Sequence, residues 1–238
     1  MKMTNAVKDA AASGLVIRGI HLTFAAPAAI EVLAAADLQF VYLDGEHGRF
    51  DWRDIEEACI TAERHHLTPI ARIPDTSVST ITRFLDRGVR GIVAPHIESV
   101  AAAQKVVDAA YFAPLGNRSY GASRPHYGRR IGNRSEHLAE TNASVSVCLM
   151  IESRAGLELA GELAAVPGVD YLSFGMLDLA QSLGHPGNSD HPDVRAAAAE
   201  ATRRIHAAGK RVREDFMKFA WINDVLFAGA GQLLGPAR

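Results

Sequence analysis

Charged side chains follow several short apolar runs of this sequence, in each case close to where the run ends. They are Asp44, His47, Arg72, Glu152 and Asp178. A charged group beside an apolar run lowers stability unless it is paired or bound to a metal ion. If the runs are parallel strands of one sheet, their carboxyl ends lie at one edge, and these side chains converge there.

Glu152 and Asp178 are the natural pair of metal ligands in this set. Both are carboxylates, and no thiolate or histidine cluster belongs to the set. Oxygen ligands of this kind suit Mg²⁺ or Mn²⁺. We therefore expect a divalent metal site, the alternative being that each carboxylate only forms a salt bridge with an arginine.

Arg72 and His47 have the chemistry to act on a substrate. The guanidinium of Arg72 can bind a carboxylate or a carbonyl oxygen through two hydrogen bonds, and it can also pair with Asp44 or Glu46. Histidine exchanges protons near neutral pH, which makes His47 a candidate acid–base residue. No lysine ends an apolar run, so the sequence favours metal chemistry over a Schiff base.

Short apolar runs alternate with longer amphipathic ones, which predicts alternating strands and helices. The predicted strands are Leu15–Leu22, Gln39–Asp44, Thr68–Ile73, Val89–Ala94, Val147–Glu152, Tyr171–Phe174 and, more weakly, Arg211–Met217 and Gly231–Leu234. The predicted helices are Pro27–Ala36, Trp52–Arg64, Val78–Asp86, Val100–Ala109, Gly156–Ala165, Pro192–Ala208 and Phe219–Phe227. Up to eight apolar strands predict an α/β fold, a (β/α)8 TIM barrel forming a single domain over residues 1–238.

Composition and charge exclude several classes of protein. The 238 residues are 48% hydrophobic and carry a formal charge of −2, which indicates neither disorder nor a general attraction to nucleic acid or anionic membranes. Cys59 and Cys148 cannot form a disulfide framework and are interpreted as buried, inert thiols. No apolar run is long enough for a signal peptide or a membrane span, so we expect a cytoplasmic protein that does not bind membranes.

A long insertion and four histidines are weaker candidates for function. The insertion, at about residues 110–145, contains Arg118, Arg124, Arg129, Arg130 and Arg134 together with Tyr120 and Tyr127. Such a segment can bind nucleic acid, but the net charge favours a loop near a small-molecule site. His21 and His96 follow apolar runs, where either could contact a substrate. His185 and His191 flank a turn and are interpreted as structural.

Five segments together resemble the HpcH/HpaI aldolases, metal-dependent class II enzymes that act on pyruvate. They are FVYLDGEHGRF, PIARIPD, FLDRG, MIES and FGMLDLAQSLGHPGN, and the similarity is good from about residue 40 to residue 188. The resemblance implies a TIM barrel, usually assembled as a trimer of dimers that exchange C-terminal helices. We therefore expect a homo-oligomer.

The resemblance also assigns roles around the metal. Glu152 and Asp178 would bind Mg²⁺, Mn²⁺ or Co²⁺, and the backbone amides of Gly175, Met176 and Leu177 would bind the pyruvate carboxylate. Met176 stands where the family commonly has proline, and Leu177 is bulkier than the usual residue. Neither departure changes a metal ligand.

The remaining roles concern the reacting groups. By the same resemblance, Arg72 binds the pyruvate enolate, and His47 is the acid–base residue, oriented by Asp86 and supported by Asp44.

At the C-terminal end, residues 211–217 are highly charged, and we expect an irregular last strand with no final helix. Such a loss would leave barrel surface uncovered and argues against the usual hexamer.

We expect a metal-dependent aldolase that cleaves or forms 4-hydroxy-2-oxo acids from pyruvate and an aldehyde. The same residues are compatible with another enolate-forming reaction, such as oxaloacetate decarboxylation or a citrate-synthase-like condensation. The second alternative is a degenerate barrel that serves as a non-catalytic subunit. The third is nucleic-acid binding through the arginine-rich insertion.

Overall fold

The structure is a computed structural model that describes residues 5–121, 123–124 and 132–235. In these residues, eight parallel strands form the central sheet. The strands are β1 (Ile17–Leu22), β2 (Phe40–Asp44), β3 (Thr68–Arg72), β4 (Gly91–Ala94), β5 (Ser146–Ile151), β6 (Tyr171–Phe174), β7 (Arg211–Val212) and β8 (Met217–Trp221). They are hydrogen bonded in the order β7-β6-β5-β4-β3-β2-β1-β8. The predicted parallel sheet of an α/β fold is therefore confirmed.

The sheet is curled, with an apolar cluster on its inner face. β1 pairs with β2 on one side and with β8 on the other. The inner cluster draws side chains from β1 to β6 and from β8, including Ile17, Phe40, Ile70, Val93, Cys148, Tyr171 and Met217. A larger cluster fills the space between the sheet and the helices. Strands buried on both faces explain why the sequence shows continuous apolar runs instead of alternation.

Most of the helices cover the outer face of the sheet, whereas the first helix adds Val7, Ala10 and Ala11 to the inner apolar cluster. The helices are α1 (Ala6–Ser13), α2 (Pro27–Ala34), α3 (Trp52–Arg64), α4 (Val78–Asp86), α5 (Val100–Ala110), α6 (Arg134–Ser144), α7 (Arg154–Glu158), α8 (Ala160–Ala165), α9 (Met176–Ser182), α10 (Pro192–Ala207) and α11 (Ile222–Leu234). At the start of α3, the Asp51 side chain accepts a hydrogen bond from the amide of Asp54, and the Asp54 side chain accepts one from the amide of Asp51. This reciprocal cap fixes the helix start.

The C-terminal region differs from the sequence prediction. The predicted helix Phe219–Phe227 is confirmed only over residues 222–227, because residues 217–221 form β8 and α11 then runs from Ile222 to Leu234. The predicted strand Gly231–Leu234 is wrong. The expectation that no final helix exists is also wrong. Only Ile222 of α11 is buried, so the helix has no apolar stripe facing the core, and periodicity could not reveal its full extent.

A short connection joins β7 to β8. Residues 213–216, all of which the structure describes, include only a 3-10 turn at Arg213–Asp215. Parallel strands usually need a connection of about a dozen residues or more, most often a helix. The predicted strand Arg211–Met217 is therefore a two-residue strand, a turn and the first residue of β8. The charged residues that made its sequence atypical belong mostly to the turn.

The insertion is tied to the body of the protein by two of its arginines. Arg118 Nη2 donates to Asp86 Oδ1 at 2.8 Å, and Arg124 Nη2 donates to Glu63 Oε2 at 2.6 Å. Its C-terminal part forms α6, which the sequence analysis did not predict. The predicted basic and aromatic residues Arg129, Arg130 and Tyr127 lie outside the described residues. The two paired arginines serve as internal contacts, which weakens the nucleic-acid interpretation.

Two further observations concern the state of the cysteines and the length and polarity of the helices. Both cysteines are free and buried, and burial raises the pKa of the Cys148 thiol to about 12, as expected for an inert thiol. Within the described ranges, every helix is too short or too polar to cross a bilayer.

Candidate active site

Asp44 and Arg72 form a buried ion pair at the ends of two neighbouring strands. The register of β2 and β3 places the two residues opposite each other. Arg72 Nε donates to Asp44 Oδ1 at 3.0 Å, and Arg72 Nη2 donates to Asp44 Oδ2 at 2.7 Å. Because both nitrogens are held, the planar guanidinium has a fixed orientation before any substrate arrives. The sequence predicts this pairing as one of two compatible roles of Arg72, the other being substrate binding.

The charge state of Asp44 follows from its surroundings. Burial by itself would raise the pKa of this carboxyl, but His21 and Arg72 hold it well below its usual range. The backbone amide of His47 also donates to Asp44 Oδ1, at 3.1 Å. Asp44 therefore stays ionised and anchors both Arg72 and the loop that carries His47.

Glu46 connects this pair to the rest of the site. Its Oε2 lies 3.2 Å from Arg72 Nε, and its Oε1 lies 3.5 Å from His96 Nε2. His47 projects from the same loop with 68% of its side chain exposed, and its Nε2 is 4.0 Å from Glu46 Oε2. An exposed imidazole at this edge can exchange protons with a ligand or with solvent.

The structure does not bring Asp86 to His47 within the chain. Asp86 is the last residue of α4 and pairs with the buried guanidinium of Arg118, 2.8 Å away. The expected orientation of His47 by Asp86 therefore stays a prediction without a contact in this chain. Arg118 was noted in the insertion, but sequence reasoning did not identify it as the partner of Asp86.

Glu152 lies just beyond the end of β5 and is almost fully buried. Its Oε2 accepts a hydrogen bond from the backbone amide of His96 at 2.8 Å and lies 3.2 Å from His96 Nδ1. His96 adopts a left-handed backbone conformation with φ +53°, which is uncommon for a residue with a side chain. That conformation accompanies the double contact with Glu152. His96 therefore belongs to the site, as its position after an apolar run suggested.

Glu152 has an unfavourable environment for a negative charge. Burial raises the pKa of this carboxyl, the nearby charges of Glu46 and Asp178 raise it further, and His96 partly offsets the effect. Three carboxylates that influence one another offer only oxygen ligands, which fits a hard divalent cation such as Mg²⁺ or Mn²⁺. A bound cation would relieve the repulsion between them. The residues present therefore fit the expected metal ion.

Gly175 makes room for the Glu152 carboxylate. A Cβ atom at Gly175 would lie 2.1 Å from Glu152 Oε1, closer than any real contact. Helix α9 starts at the next residue, Met176, and carries Asp178 in its first turn, where the side chain is exposed. The structure thus places Gly175 against the Glu152 carboxylate and Asp178 near enough for its charge to act on Glu152.

His21 and Trp221 form a wall next to Asp44. The His21 ring stacks on Trp221 with centroids 3.9 Å apart and lies 4.4 Å from Tyr42. His21 Nε2 is 3.6 Å from Asp44 Oδ2, too far for a hydrogen bond, and neither ring nitrogen finds a hydrogen-bond partner in the described part of the chain. Sequence reasoning missed Trp221 because it assigned residues 219–227 to a helix.

Comparison of the chain with known proteins identifies a matching family and several relatives. The pattern of the HpcH/HpaI aldolase/citrate lyase family matches residues 18–223. The hydroxypyruvate/pyruvate aldolase of Roseovarius nubinhibens is 33% identical over 207 residues, which cover 87% of this chain and 80% of that protein. The 5-keto-4-deoxy-D-glucarate aldolase of Shigella dysenteriae is 32% identical over 241 residues, covering 98% of this chain and 93% of the relative.

A solved structure gives the same result. The crystal structure of an HpcH/HpaI aldolase/citrate lyase family protein from Burkholderia cenocepacia superposes with a TM-score of 0.87 at 29% identity. The match covers 97% of this chain and 98% of that one. The motifs around Asp44, Arg72, Glu152 and Asp178 lie inside the matched residues. The chain therefore belongs to the HpcH/HpaI aldolase/citrate lyase family.

Proposed function

We propose that this chain is a class II aldolase that cleaves or forms 4-hydroxy-2-oxo acids from pyruvate and an aldehyde. One observation carries the proposal: a continuous set of polar contacts runs from the fixed guanidinium of Arg72 through Glu46 and His96 to the buried Glu152. A cation-binding carboxylate and an oriented guanidinium thus face one edge of the sheet. The aldolase names of the two relatives support the same reaction class.

Glu152 and Asp178 are the proposed ligands of a divalent cation, with Mg²⁺, Mn²⁺ and Co²⁺ as candidates. When bound, such a cation withdraws negative charge from the keto oxygen of a 2-oxo acid. The amides of Gly175, Met176 and Leu177, at the start of α9, are the proposed contacts of the substrate carboxylate. The positive end of a helix dipole supports an anion at this place.

Arg72 and His47 are the residues proposed to contact the reacting atoms of the substrate. Arg72 donates to the oxygen that gains negative charge as the carbon–carbon bond breaks, and Asp44 keeps it oriented so that no reorganisation is needed. His47 takes the proton from the C4 hydroxyl of the substrate, either directly or through water. Asp86 keeps its proposed role as the residue that orients His47, although its contact within the chain is Arg118.

We also propose that the protein is a homo-oligomer, a hexamer by resemblance to the family. Helix α11 exposes four large apolar side chains, with fractional exposures of 56% to 85%: Leu226, Phe227, Leu233 and Leu234. Soluble monomers rarely leave such a patch uncovered. The presence of α11 removes the objection that a missing last helix raised against the hexamer.

Four further features complete the proposal: the fold, the domain organisation, the cellular location and the partners. The curled sheet is a (β/α)8 TIM barrel, and the whole chain acts as one domain. The protein works in the cytoplasm, which its free, buried cysteines support. Its partners are small molecules, with neither nucleic acid nor membrane involved.

The reaction is tested by supplying a 4-hydroxy-2-oxo acid and measuring pyruvate release in the presence and absence of Mg²⁺ or Mn²⁺. Metal-dependent release that Glu152→Gln abolishes and Glu57→Gln retains supports the aldolase. Glu57 is an exposed glutamate of α3 and serves as the matched control. Release of CO₂ from oxaloacetate without cleavage of any hydroxy-oxo acid would instead favour the decarboxylase, the alternative reaction on the same residues.

A further inference from the structure

Trp221 is an exposed aromatic side chain at the same edge of the sheet as Asp44. β8 ends at Trp221, and the strand register places this residue opposite His21 of β1. β1 is hydrogen bonded on its other side to β2, which ends at Asp44. Trp221 is 41% exposed, although tryptophan is highly buried on average. The proposed aldolase reaction, as described above, gives this indole no role.

The orientation of the indole is fixed by a set of stacked rings. The His21 ring lies against one side of Trp221, with centroids 3.9 Å apart and an angle of 22° between the planes. His21 in turn packs against Tyr42 and Phe219, at centroid distances of 4.4 Å and 5.6 Å. We call these four residues the aromatic wall. Because His21 covers one side of the indole, the exposed surface of Trp221 lies on its remaining side and edges.

The strand that carries Trp221 has little cover on the side of β7. β7 is only two residues long, and its pairing with β6 ends at Val212. Residues 213–216 lead directly into β8 without a crossover helix, and β7 and β8 are the two ends of the strand order. Lys218 and Ala220 of β8 are exposed as well. In the described part of the chain, no strand or helix between β7 and β8 therefore blocks a bulky group beside Trp221.

The position of the wall assigns it to the aldehyde half of the substrate, a step that rests on the proposed function. In that proposal, the pyruvate half lies between the start of α9 and Arg72, and His47 takes the proton of the C4 hydroxyl. His47 follows β2, and the wall extends from β2 across its neighbours β1 and β8. The group attached to C4 therefore extends toward Trp221.

Three arginines that could otherwise bind an anionic aldehyde already have carboxylate partners. Arg118 and Arg124 of the insertion are paired as described above. Arg213, whose guanidinium carbon lies 5.3 Å from the centre of the Phe219 ring, donates through Nε to Glu214 Oε1 at 3.0 Å. An anionic group placed against the wall would lose its hydration without gaining one of these cations. The charges thus favour an uncharged aldehyde.

We propose that Trp221 is a specificity-determining residue that binds the planar ring of an aromatic aldehyde. A flat indole with a fixed orientation can stack on a second ring, and its apolar surface offers no partner to a carboxylate or phosphate. In the condensation, C3 of pyruvate loses a proton and bonds to the aldehyde carbon, and the aldehyde oxygen takes up a proton. Cleavage is the reverse of this step. The substrate class is therefore a 4-aryl-4-hydroxy-2-oxo acid.

Condensation of pyruvate with benzaldehyde or with glyoxylate, in the presence of Mg²⁺ or Mn²⁺, tests the proposal. Benzaldehyde has a planar ring and no charge, whereas glyoxylate has a carboxylate and no ring. We expect wild type to prefer benzaldehyde about tenfold or more in kcat/KM. Trp221→Leu should reduce this preference about five- to tenfold, which is the range of one stacked aromatic contact, and Trp221→Phe should keep most of it. Trp52→Phe, at the other tryptophan of the chain, is the matched control and should keep the full preference.

A second measurement depends neither on turnover nor on the folding of Trp221→Leu. Trp52→Phe leaves Trp221 as the only tryptophan, so benzaldehyde without pyruvate should quench its fluorescence saturably, and glyoxylate should not. Absence of saturable quenching would overturn the proposal. An equal or higher kcat/KM for glyoxylate, or a Trp221→Leu enzyme with the wild-type preference, would also overturn it.

Failure of this proposal can be told apart from failure of the aldolase. Exchange of pyruvate methyl protons in D₂O needs no aldehyde. A wild-type protein that exchanges these protons but shows no preference for benzaldehyde retains the aldolase and loses the role of Trp221. If wild type exchanges no protons, the aldolase fails, and the fluorescence titration alone decides whether Trp221 binds a planar ring.

Discussion

The Asp44–Arg72 pair shows how strand register prepares a functional group. Asp44 and Arg72 are opposite residues of β2 and β3, so the backbone pairing itself brings the carboxylate under the guanidinium. The buried carboxylate holds Arg72 through two nitrogens. Since the position of the guanidinium is set by folding, its interaction with a developing negative charge needs no reorganisation.

Replacing Arg72 with lysine should therefore impair catalysis although the charge is kept. Lysine cannot make the two-nitrogen contact with Asp44, and we expect kcat to fall by about 100-fold or more, with a smaller change in KM. Steady-state kinetics of Arg72→Lys measures both. The exposed Arg53→Lys, whose partner is Glu57, is the control and should behave as wild type. An Arg72→Lys enzyme within a few-fold of wild-type kcat would contradict this role.

Replacing Gly175 with alanine adds a single carbon atom next to Glu152 and so tests the carboxylate site. Alanine there places a Cβ 2.1 Å from Glu152 Oε1 and must displace this carboxylate. The φ of Gly175 is −89°, which alanine adopts without strain, so any effect comes from the contact. We expect Gly175→Ala to lose the increase in Tm that Mg²⁺ or Mn²⁺ gives wild type, as measured by thermal unfolding.

Gly229→Ala is the matched control for that substitution. No atom of the described residues lies within 4 Å of the Cβ that alanine would add there. Alanine in a helix interior is also favoured over glycine by about 0.5–1 kcal/mol. The control should keep the full metal-dependent rise in Tm. A Gly175→Ala protein with the same rise would show that Glu152 does not bind the ion in this position.

Glu63 links three parts of the chain through charge. It lies on α3 and accepts hydrogen bonds from Arg90, at 2.7 Å, and from Arg124 of the insertion, at 2.6 Å. Burial would raise the pKa of Glu63, but Arg124 and Arg90 together lower it. A carboxyl with a lowered pKa in the folded state stabilises the protein above its ordinary pKa of 4.5, and loses that contribution as pH falls through the folded value.

Glu63→Gln should therefore destabilise the protein at neutral pH and much less in acid. We expect a loss of about 1–2 kcal/mol in the free energy of unfolding at pH 7, because two charge-assisted hydrogen bonds are weakened. Urea unfolding from pH 7 down to pH 3 should show the difference from wild type shrinking below pH 4.5. Glu57→Gln, on the exposed face of α3, should show little difference at any pH. A penalty for Glu63→Gln that grows in acid would contradict the account.

The strands and helices divide into those that sequence could predict and those that it could not. The first six strands were predicted to within about two residues at either end, because strands buried on both faces are continuous apolar runs bounded by turns. Only the first half of helix α11 could be predicted, within the segment Phe219–Phe227, because most of its apolar side chains face away from the core of this chain. The turn at Arg213–Asp215 was taken for part of a strand, since a connection this short between parallel strands is unusual.

The same distinction applies to the site. Asp44, Arg72, Glu152 and Asp178 could be predicted because they follow apolar runs, and strand polarity alone places such residues at one edge. Long-range partners leave no local signal in one sequence. The pairing of Asp86 with Arg118 and the stacking of His21 on Trp221 join elements 32 and 200 residues apart, and neither could be derived from spacing.

The exposed face of α11 makes a prediction about assembly. Phe227 is 78% exposed, and burial of this face against another copy would remove apolar surface from water. Light scattering coupled to gel filtration should show wild type as a multiple of 25.5 kDa, and Phe227→Glu should shift it to smaller species. Gln232→Glu adds the same charge to the same helix and should not. A wild-type protein of 25.5 kDa would contradict the assembly.

Removal of a methyl proton from pyruvate is the most direct test of the central claim, since it requires no knowledge of the aldehyde. The protein is incubated with pyruvate in D₂O, with and without Mg²⁺, Mn²⁺ or Co²⁺, and the methyl signal is followed by proton NMR. Loss of the signal that depends on metal and disappears in Glu152→Ala is the expected result. A folded protein that exchanges no methyl protons with any of the three metals would contradict the pyruvate aldolase account.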